Sequence, residues 1–103
     1  KGFPMDAHPK MVGPVIRGLD ANLAEAVITA IEEDNPDEEV LVDDQGGYIR
    51  IATPARCRMT RASLEEALGR TFQLHQLEPQ LAGFAGRMQL TDDEVVWFLE
   101  RQD

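Results

Sequence analysis

The chain has 103 residues, 43% of them hydrophobic, which fits one compact domain with a real core. Its 19 acidic and 10 basic side chains give a formal charge of −9, so nucleic acid is a disfavoured partner because its phosphates would be repelled. The single cysteine, Cys57, excludes an intramolecular disulfide and favours a cytoplasmic location, and no apolar run approaches the roughly 20 residues needed to cross a membrane.

The first residues show no hydrophobic repeat. Residues 1–11 contain prolines and a glycine, so we expect a mobile N-terminal tail, part of which is consistent with an expression remnant, followed by one domain over 12–103. The run VGPVIR (12–17) is rich in β-branched residues and predicts a strand. Pro14 inside it predicts that this strand lies at a sheet edge, because proline cannot donate to a ladder.

A helix is predicted next. Its apolar side chains recur at helical spacing and form one stripe: Leu23, Ala26, Val27, Ala30 and Ile31. Asp20 or Asn22 can cap its first turn. Pro36 ends it, because the residue before a proline is pushed out of the helical conformation.

The middle of the chain predicts a hairpin, a strand and a short helix. The stretch EEVLVDDQGGYIRIATPA (38–55) alternates in polarity on either side of Gln45-Gly46-Gly47, which is typical of a β-hairpin with a glycine turn. RCRMT (56–60) predicts a further strand. A helix follows, capped by Thr60 or Ser63 and ended by Gly69.

The C-terminal third predicts one more helix and a final hairpin. Leu74, Leu77, Leu81 and Phe84 are spaced as one helical stripe, and Pro79 suits its first turn. RMQL, the turn TDD and EVVWFLE then predict two strands, the last apolar on both faces, so one face packs on helices and the other is covered or lies at an interface. The fold class is therefore α+β, a small single domain with largely antiparallel sheets and about three helices in the order β-α-β-β-β-α-α-β-β.

Candidate chemistry is scarce in this sequence. His8 and His75 stand apart from Cys57, with none of the spacings typical of metal sites. Cys57 is expected to be a core residue and His75 a capping or surface residue. Ser63 is explained as a helix start, and EEDNPDEE (32–39) lacks the alternating ligands and central glycine of a calcium loop. We expect no cofactor, no metal and no catalytic residue.

One stretch has unusually few side chains. Within LEPQLAGFAGRM (77–88), Ala82, Gly83 and Gly86 surround Phe84. Two interpretations are open: a helix ending in a glycine cap, or a bare patch of backbone that another surface can approach closely.

Several segments together resemble a known family. VGPVIR, EEDNP, EEVLVDDQGGYIRI, MTRASLEEALGR and LEPQLAGFAGRMQ occur in the order found in the small effector proteins of bacterial multicomponent diiron monooxygenases. The similarity covers residues 11 to 100, with toluene monooxygenase effectors most similar and the phenol hydroxylase and methane monooxygenase regulatory proteins more distant. Trp97 and Gly83 depart from the toluene-type pattern.

The resemblance implies a protein without cofactor or catalysis of its own. Such effectors dock on the hydroxylase that holds the diiron centre, and they tune oxygen activation, substrate access and the coupling of electron transfer. An electron donor, either a reductase or a Rieske ferredoxin, is expected to share or compete for the same surface, and the free effector is expected to be a monomer. The residues expected to bind the hydroxylase are Ala82, Gly83, Phe84, Gly86, Gly46, Gly47, Tyr48 and Arg50.

Two other classes remain as alternatives. One is a small stand-alone enzyme, such as an isomerase or cyclase, with a carboxylate of raised pKa in a deep polar cavity. The other is an adaptor unrelated to oxygenases. A solid core with one flat apolar patch would favour the regulatory module over the enzyme.

Overall fold

Two antiparallel sheets and two α-helices form the fold. The computed structural model describes residues 10–99, so most of the predicted tail lies outside the described residues. In chain order the elements are β1 (Met11–Arg17), α1 (Ala21–Asp34), β2 (Leu41–Asp44), β3 (Tyr48–Pro54), β4 (Arg56–Thr60), α2 (Arg61–Leu68), a 3₁₀ helix (Leu74–Gln80), β5 (Leu81–Ala85), β6 (Arg87–Leu90) and β7 (Glu94–Phe98). One sheet has the strand order β2-β3-β1-β5 and the other the order β4-β7-β6. The predicted α+β class is confirmed.

One continuous core joins the two sheets to α1. All five residues of the predicted α1 stripe are buried, and they pack with Trp97 and Met59 from the second sheet and with Val12 and Ile51 from the first. Asp20 is the N-cap, and its carboxylate accepts the Leu23 N–H at 3.0 Å. Within the described residues, none of the helices is long and apolar enough to span a bilayer.

The prediction that the first strand lies at a sheet edge is wrong, because β1 lies between β3 and β5. The ladder between β1 and β3 pairs Val12 with Thr53 and resumes at Val15 and Arg50. Pro14 lies in the gap between these pairs, so its missing N–H is accommodated inside the sheet. A sheet interior can therefore hold a proline where the ladder is interrupted.

The predicted helix over Leu74–Phe84 is correct only in its first half. Leu74 and Leu77 are buried on the 3₁₀ helix, which contains Pro79. The chain then turns into β5 at Leu81, and β5 pairs with β1. Pairing with the open side of β1 satisfies the backbone of this segment, so tertiary structure overrides the local spacing.

The acidic end of α1 clamps the two helices together. Asp34 accepts hydrogen bonds from the Thr60 N–H at 2.7 Å, the Thr60 hydroxyl at 3.0 Å and the Ser63 hydroxyl at 2.8 Å. A carboxylate is unfavourable at the C-terminus of its own helix. The same carboxylate lies at the N-terminus of α2, where negative charge is favoured. Thr60 is the N-cap of α2, so of the two predicted caps the threonine is the correct one.

The neighbouring Asn35 ties α1 to β4. Its amide group donates to the carbonyls of Ile31 at 2.7 Å and Arg58 at 2.8 Å, and its oxygen accepts the Arg58 N–H at 3.2 Å. Asn35 is only 9% exposed, so these bonds replace hydration that the free side chain would have.

We expect the substitution Asn35→Ala to lower the free energy of unfolding by about 2–3 kcal/mol, because it leaves buried backbone groups without partners. Urea denaturation followed by the fluorescence of Trp97, the single tryptophan, measures the loss. Glu38→Ala in the same turn, at an exposed position, is the control and should change the value by less than about 0.5 kcal/mol. A loss for Asn35→Ala as small as that of the control would contradict the role of Asn35 in holding α1 to β4.

Candidate docking surface

The surroundings of Cys57 and His75 are those of structural residues and not of a reactive or metal-binding site. Cys57 is fully buried, and burial raises the pKa of its thiol to about 11, so little nucleophilic thiolate forms near neutral pH. His75 is exposed on the 3₁₀ helix. Over residues 10–99, no three potential metal ligands of the histidine, cysteine or carboxylate type come together.

One carboxylate has a clearly displaced pKa. The pKa of Glu65 is lowered because its carboxylate accepts the Phe72 N–H at 2.8 Å and the Arg61 Nε–H at 2.9 Å. A catalytic acid would need the opposite displacement. Glu65 therefore holds the segment after α2 in place.

The two groups of predicted partner-binding residues lie on one sheet. Tyr48 and Arg50 belong to β3, and Gly83 belongs to β5, with β1 between them. Val15 of β1 pairs with Arg50 on one side and with Gly83 on the other. These three residues therefore form one row across the sheet, and Arg50 and Gly83 lie two strand spacings apart, roughly 10 Å.

The row belongs to the face of the sheet that points away from the core. Direct cross-strand partners share a face, and successive residues alternate between faces. This places eight residues around the row on one surface, here called the open sheet face: Val15, Arg17, Leu41, Asp43, Tyr48, Arg50, Ala52 and Gly83. Leu41 is 48% exposed and Tyr48 is 41% exposed, so both offer apolar surface on this face. On β2 this face presents Leu41 and Asp43, and Asp43 is the direct cross-strand partner of Arg50. The face therefore combines exposed apolar side chains with two arginines and a carboxylate.

Packing within the described part of the chain does not require a glycine at position 83. A Cβ added to it would find no atom within 4 Å, and its backbone is not in the left-handed region. Gly86 is different, since its φ is +92° and an added Cβ would lie 2.7 Å from the Phe98 carbonyl oxygen and 2.8 Å from Val12 Cγ1. Of the two interpretations of this stretch, a structural requirement explains Gly86 but not Gly83.

The other predicted site residues are more scattered. Phe84 is 45% exposed but pairs with Pro14, so it lies on the sheet face opposite to Gly83. Ala82 is exposed on β5, beside the bulge. Gly46, with φ +86°, and Gly47 form the exposed tip of the β2–β3 hairpin, and Gly46 fulfils the predicted need for positive φ.

Sequence reasoning missed Val15, Arg17 and Leu41 as members of this surface. They come from β1 and β2, and their common face follows only from the strand pairing. The alternation of Leu41 with Val42 in the sequence was the available signal, but it did not indicate which of the two points outward.

Both faces of β7 are apolar, as predicted, and the structure shows how they differ. Val95 and Trp97 are fully buried in the core. On the other side, Val96 and Phe98 line an open groove of about 380 Å³ together with Ala55 and Leu99.

Comparison with known proteins gives a consistent result. Residues 10–98 match the MmoB/DmpM family. The chain is 50% identical over 93 residues to the effector subunit of an alkene monooxygenase system from Xanthobacter autotrophicus, with 90% of each chain covered. The fold is similar to a chain in a structure of the phenol hydroxylase–regulatory protein complex, with a TM-score of 0.73, 27% identity and coverage of 88% of this chain and 100% of that one. A second structure of such a complex contains a chain with a TM-score of 0.65, 30% identity and coverage of 86% and 99%.

Proposed function

The chain belongs to the MmoB/DmpM family, and on this premise we propose that it is the effector subunit of a multicomponent monooxygenase. It is a regulatory component and not the catalytic one, as the names of its relatives indicate. Its partner is the hydroxylase of the same system, in keeping with the phenol hydroxylase complexes that contain chains of this fold. The observation that carries the proposal is 50% identity to an effector subunit over almost the whole chain.

The open sheet face is the proposed docking surface on the hydroxylase. It combines the exposed apolar side chains of Leu41 and Tyr48 with Gly83, a position that has no side chain. Such a position lets the backbone of β5 approach helices of the partner more closely than a larger side chain would allow. Arg50 can pair with carboxylates on the partner. Ala82, at the exposed edge of the same sheet, extends this surface, whereas Phe84 lies on the opposite face and contacts the hydroxylase only along the edge of β5.

Regulation by docking requires that the effector bind two states of the hydroxylase with different affinity. The favoured state has an altered active-site entrance, activates oxygen faster and couples electron input to oxidation of the hydrocarbon. The reductase or Rieske ferredoxin that supplies electrons competes for the same hydroxylase surface. The free effector is a monomer that works in the cytoplasm.

The stand-alone enzyme is not favoured. It required a deep polar cavity, whereas the groove beside Val96 and Phe98 and the groove beside Asp20 and Thr29 are both open to the surface. The relatives are also named as effector or regulatory proteins.

A turnover assay tests the proposal. Purified hydroxylase and its electron-transfer proteins are assayed with and without this chain, and with an unrelated acidic protein as the control. We expect a saturable rise in product per reducing equivalent that levels off near one effector per active site. A hydroxylase indifferent to the chain, or substrate conversion by the chain alone, would overturn the proposal.

A further inference from the structure

A second surface feature lies on the other side of the β2–β3 hairpin. A groove of about 260 Å³ runs between α1 and this hairpin, and its walls include Ile28, Val42 and Ile49. Val42 pairs with Ile51, which is buried in the core, so Val42 faces away from the open sheet face. The groove and the open sheet face therefore flank the two sides of one edge hairpin.

Two carboxylates line this apolar groove. Glu25 comes from α1 and Asp44 from the end of β2, and both residues are exposed. Asp44 Oδ1 accepts the Gly46 N–H at 2.8 Å, which fixes its carboxylate at the hairpin turn. Leu19, which is 84% exposed, follows Gly18 of the groove wall and adds apolar surface beside it.

The size and chemistry of the groove select its occupant. It is smaller than the roughly 300–1,000 Å³ typical of small-molecule pockets, so one long side chain suits it better than a free ligand. A purely apolar side chain would remove water from two carboxylates without pairing them. An arginine satisfies both parts, because its methylene stem packs on apolar walls while its guanidinium group donates to carboxylates in a fixed fork.

We propose that this groove receives an arginine side chain of the hydroxylase, whose guanidinium group pairs with Glu25 and Asp44. The inference rests on the proposed function and deepens it, because it places partner contacts on both sides of the β2–β3 hairpin. The hairpin then enters a cleft of the partner, with Leu41 and Tyr48 on one side and the arginine on the other. The net charge of −9 supports the approach of such a basic group.

Paired variants test the groove. Glu25→Gln with Asp44→Asn removes both charges and keeps an oxygen acceptor for the Gly46 N–H. Glu66→Gln with Asp92→Asn removes the same charge at exposed positions that do not line this groove. Titration calorimetry with the hydroxylase should show affinity at least about tenfold weaker for the groove pair, and a change within about twofold for the control pair. The groove pair should also lose part of the salt dependence of binding.

A steric variant gives an independent measurement. Ala21→Phe places a ring at the groove wall without changing charge, and it should also weaken hydroxylase binding about tenfold or more. Far-UV circular dichroism and urea denaturation establish that each variant is folded. Normal affinity for folded Ala21→Phe would overturn the proposal, even if the charge variants proved unstable.

Chemical modification identifies the occupant. Phenylglyoxal, which modifies arginine, is applied to the hydroxylase with and without effector, and the modified positions are found by mass spectrometry. We expect one arginine to be protected by the wild-type chain and not by the groove pair. Carbodiimide coupling of Glu25 or Asp44 to a hydroxylase lysine would instead contradict the arginine. If the wild-type chain activates the hydroxylase and the groove variants bind normally, the groove inference fails while the proposed function stands.

Discussion

Replacing Gly83 with leucine is expected to abolish most hydroxylase activation while leaving the effector folded. The added side chain has free space among residues 10–99, because none of their atoms lies within 4 Å of the Cβ position, and the backbone conformation is open to any residue. On the docked complex the same side chain would hold the two backbones apart. Overpacking of this kind costs about 1–3 kcal/mol, which corresponds to a loss of affinity of roughly 5-fold to 150-fold.

Titration calorimetry and turnover with the purified hydroxylase measure this effect, and urea denaturation checks the stability. Ala62→Leu is a suitable control, since it adds a leucine at an exposed position on α2, away from the open sheet face. Normal binding and activation by a folded Gly83→Leu variant would show that the face bearing Gly83 does not dock.

Gly13→Ala is expected to be the most destabilising single substitution proposed here, lowering the free energy of unfolding by about 4 kcal/mol or more. In the centre of the first sheet, an added Cβ would collide with the Ile51 carbonyl oxygen and lie 3.0 Å from Ala52 Cα. Relieving this collision would move β1 and β3 apart and strain the pairs on either side of it, Val12 with Thr53 and Val15 with Arg50. Since domains of this size are stable by only about 5–15 kcal/mol, much of the population would unfold on mild heating.

Gly47→Ala provides the matched control for this substitution. In the part of the chain that the structure describes, no atom lies within 4 Å of its Cβ position, and no positive φ constrains it. It should change the free energy of unfolding by less than about 1 kcal/mol, and an increase is expected from the reduced freedom of the unfolded chain. Similar unfolding midpoints for the two alanine variants in urea would refute the close approach of β1 and β3.

Elements defined by local chemistry were predictable from the sequence. The α1 stripe, the proline that follows Asn35 and the turn at Gly46 each act within a few residues, so their signals are readable in one window. The same holds for Gly69, which ends α2 with φ +76°. The family resemblance added the function, which no single side chain of the chain indicates.

Features defined by distant partners were not predictable in this way. The helical spacing of Leu81 and Phe84 is real, but the free side of β1 offered these residues a ladder, and they form β5. Pro14 was assigned to a sheet edge because it lacks an N–H donor. The gap in the ladder with β3 that accommodates it could not be read from the local sequence. The sequence of a segment rich in glycine or proline indicates which backbone conformations it can adopt. Its position in the fold depends on the strands and helices that pack against it.

The docking surface illustrates the same division. Tyr48, Arg50 and Gly83 were selected from the sequence, although Gly83 was expected on a helix. Their position on one face, together with Val15, depends on strand pairing across 35 residues of chain from β3 to β5. The role of Asp34 was likewise hidden, because its hydrogen-bond donors, Thr60 and Ser63, lie at the start of a helix that begins 27 residues later.

The shared carboxylate at the junction of the helices has a consequence for folding. α2 has only eight residues, and a helix of that length is scarcely populated in water without tertiary support. Its first turn is completed by Asp34, which occupies the correct place only when α1 has formed and docked. The shorter helix should thus acquire order after the longer one, and amide hydrogen exchange should show α2 opening at a free energy no higher than that of α1.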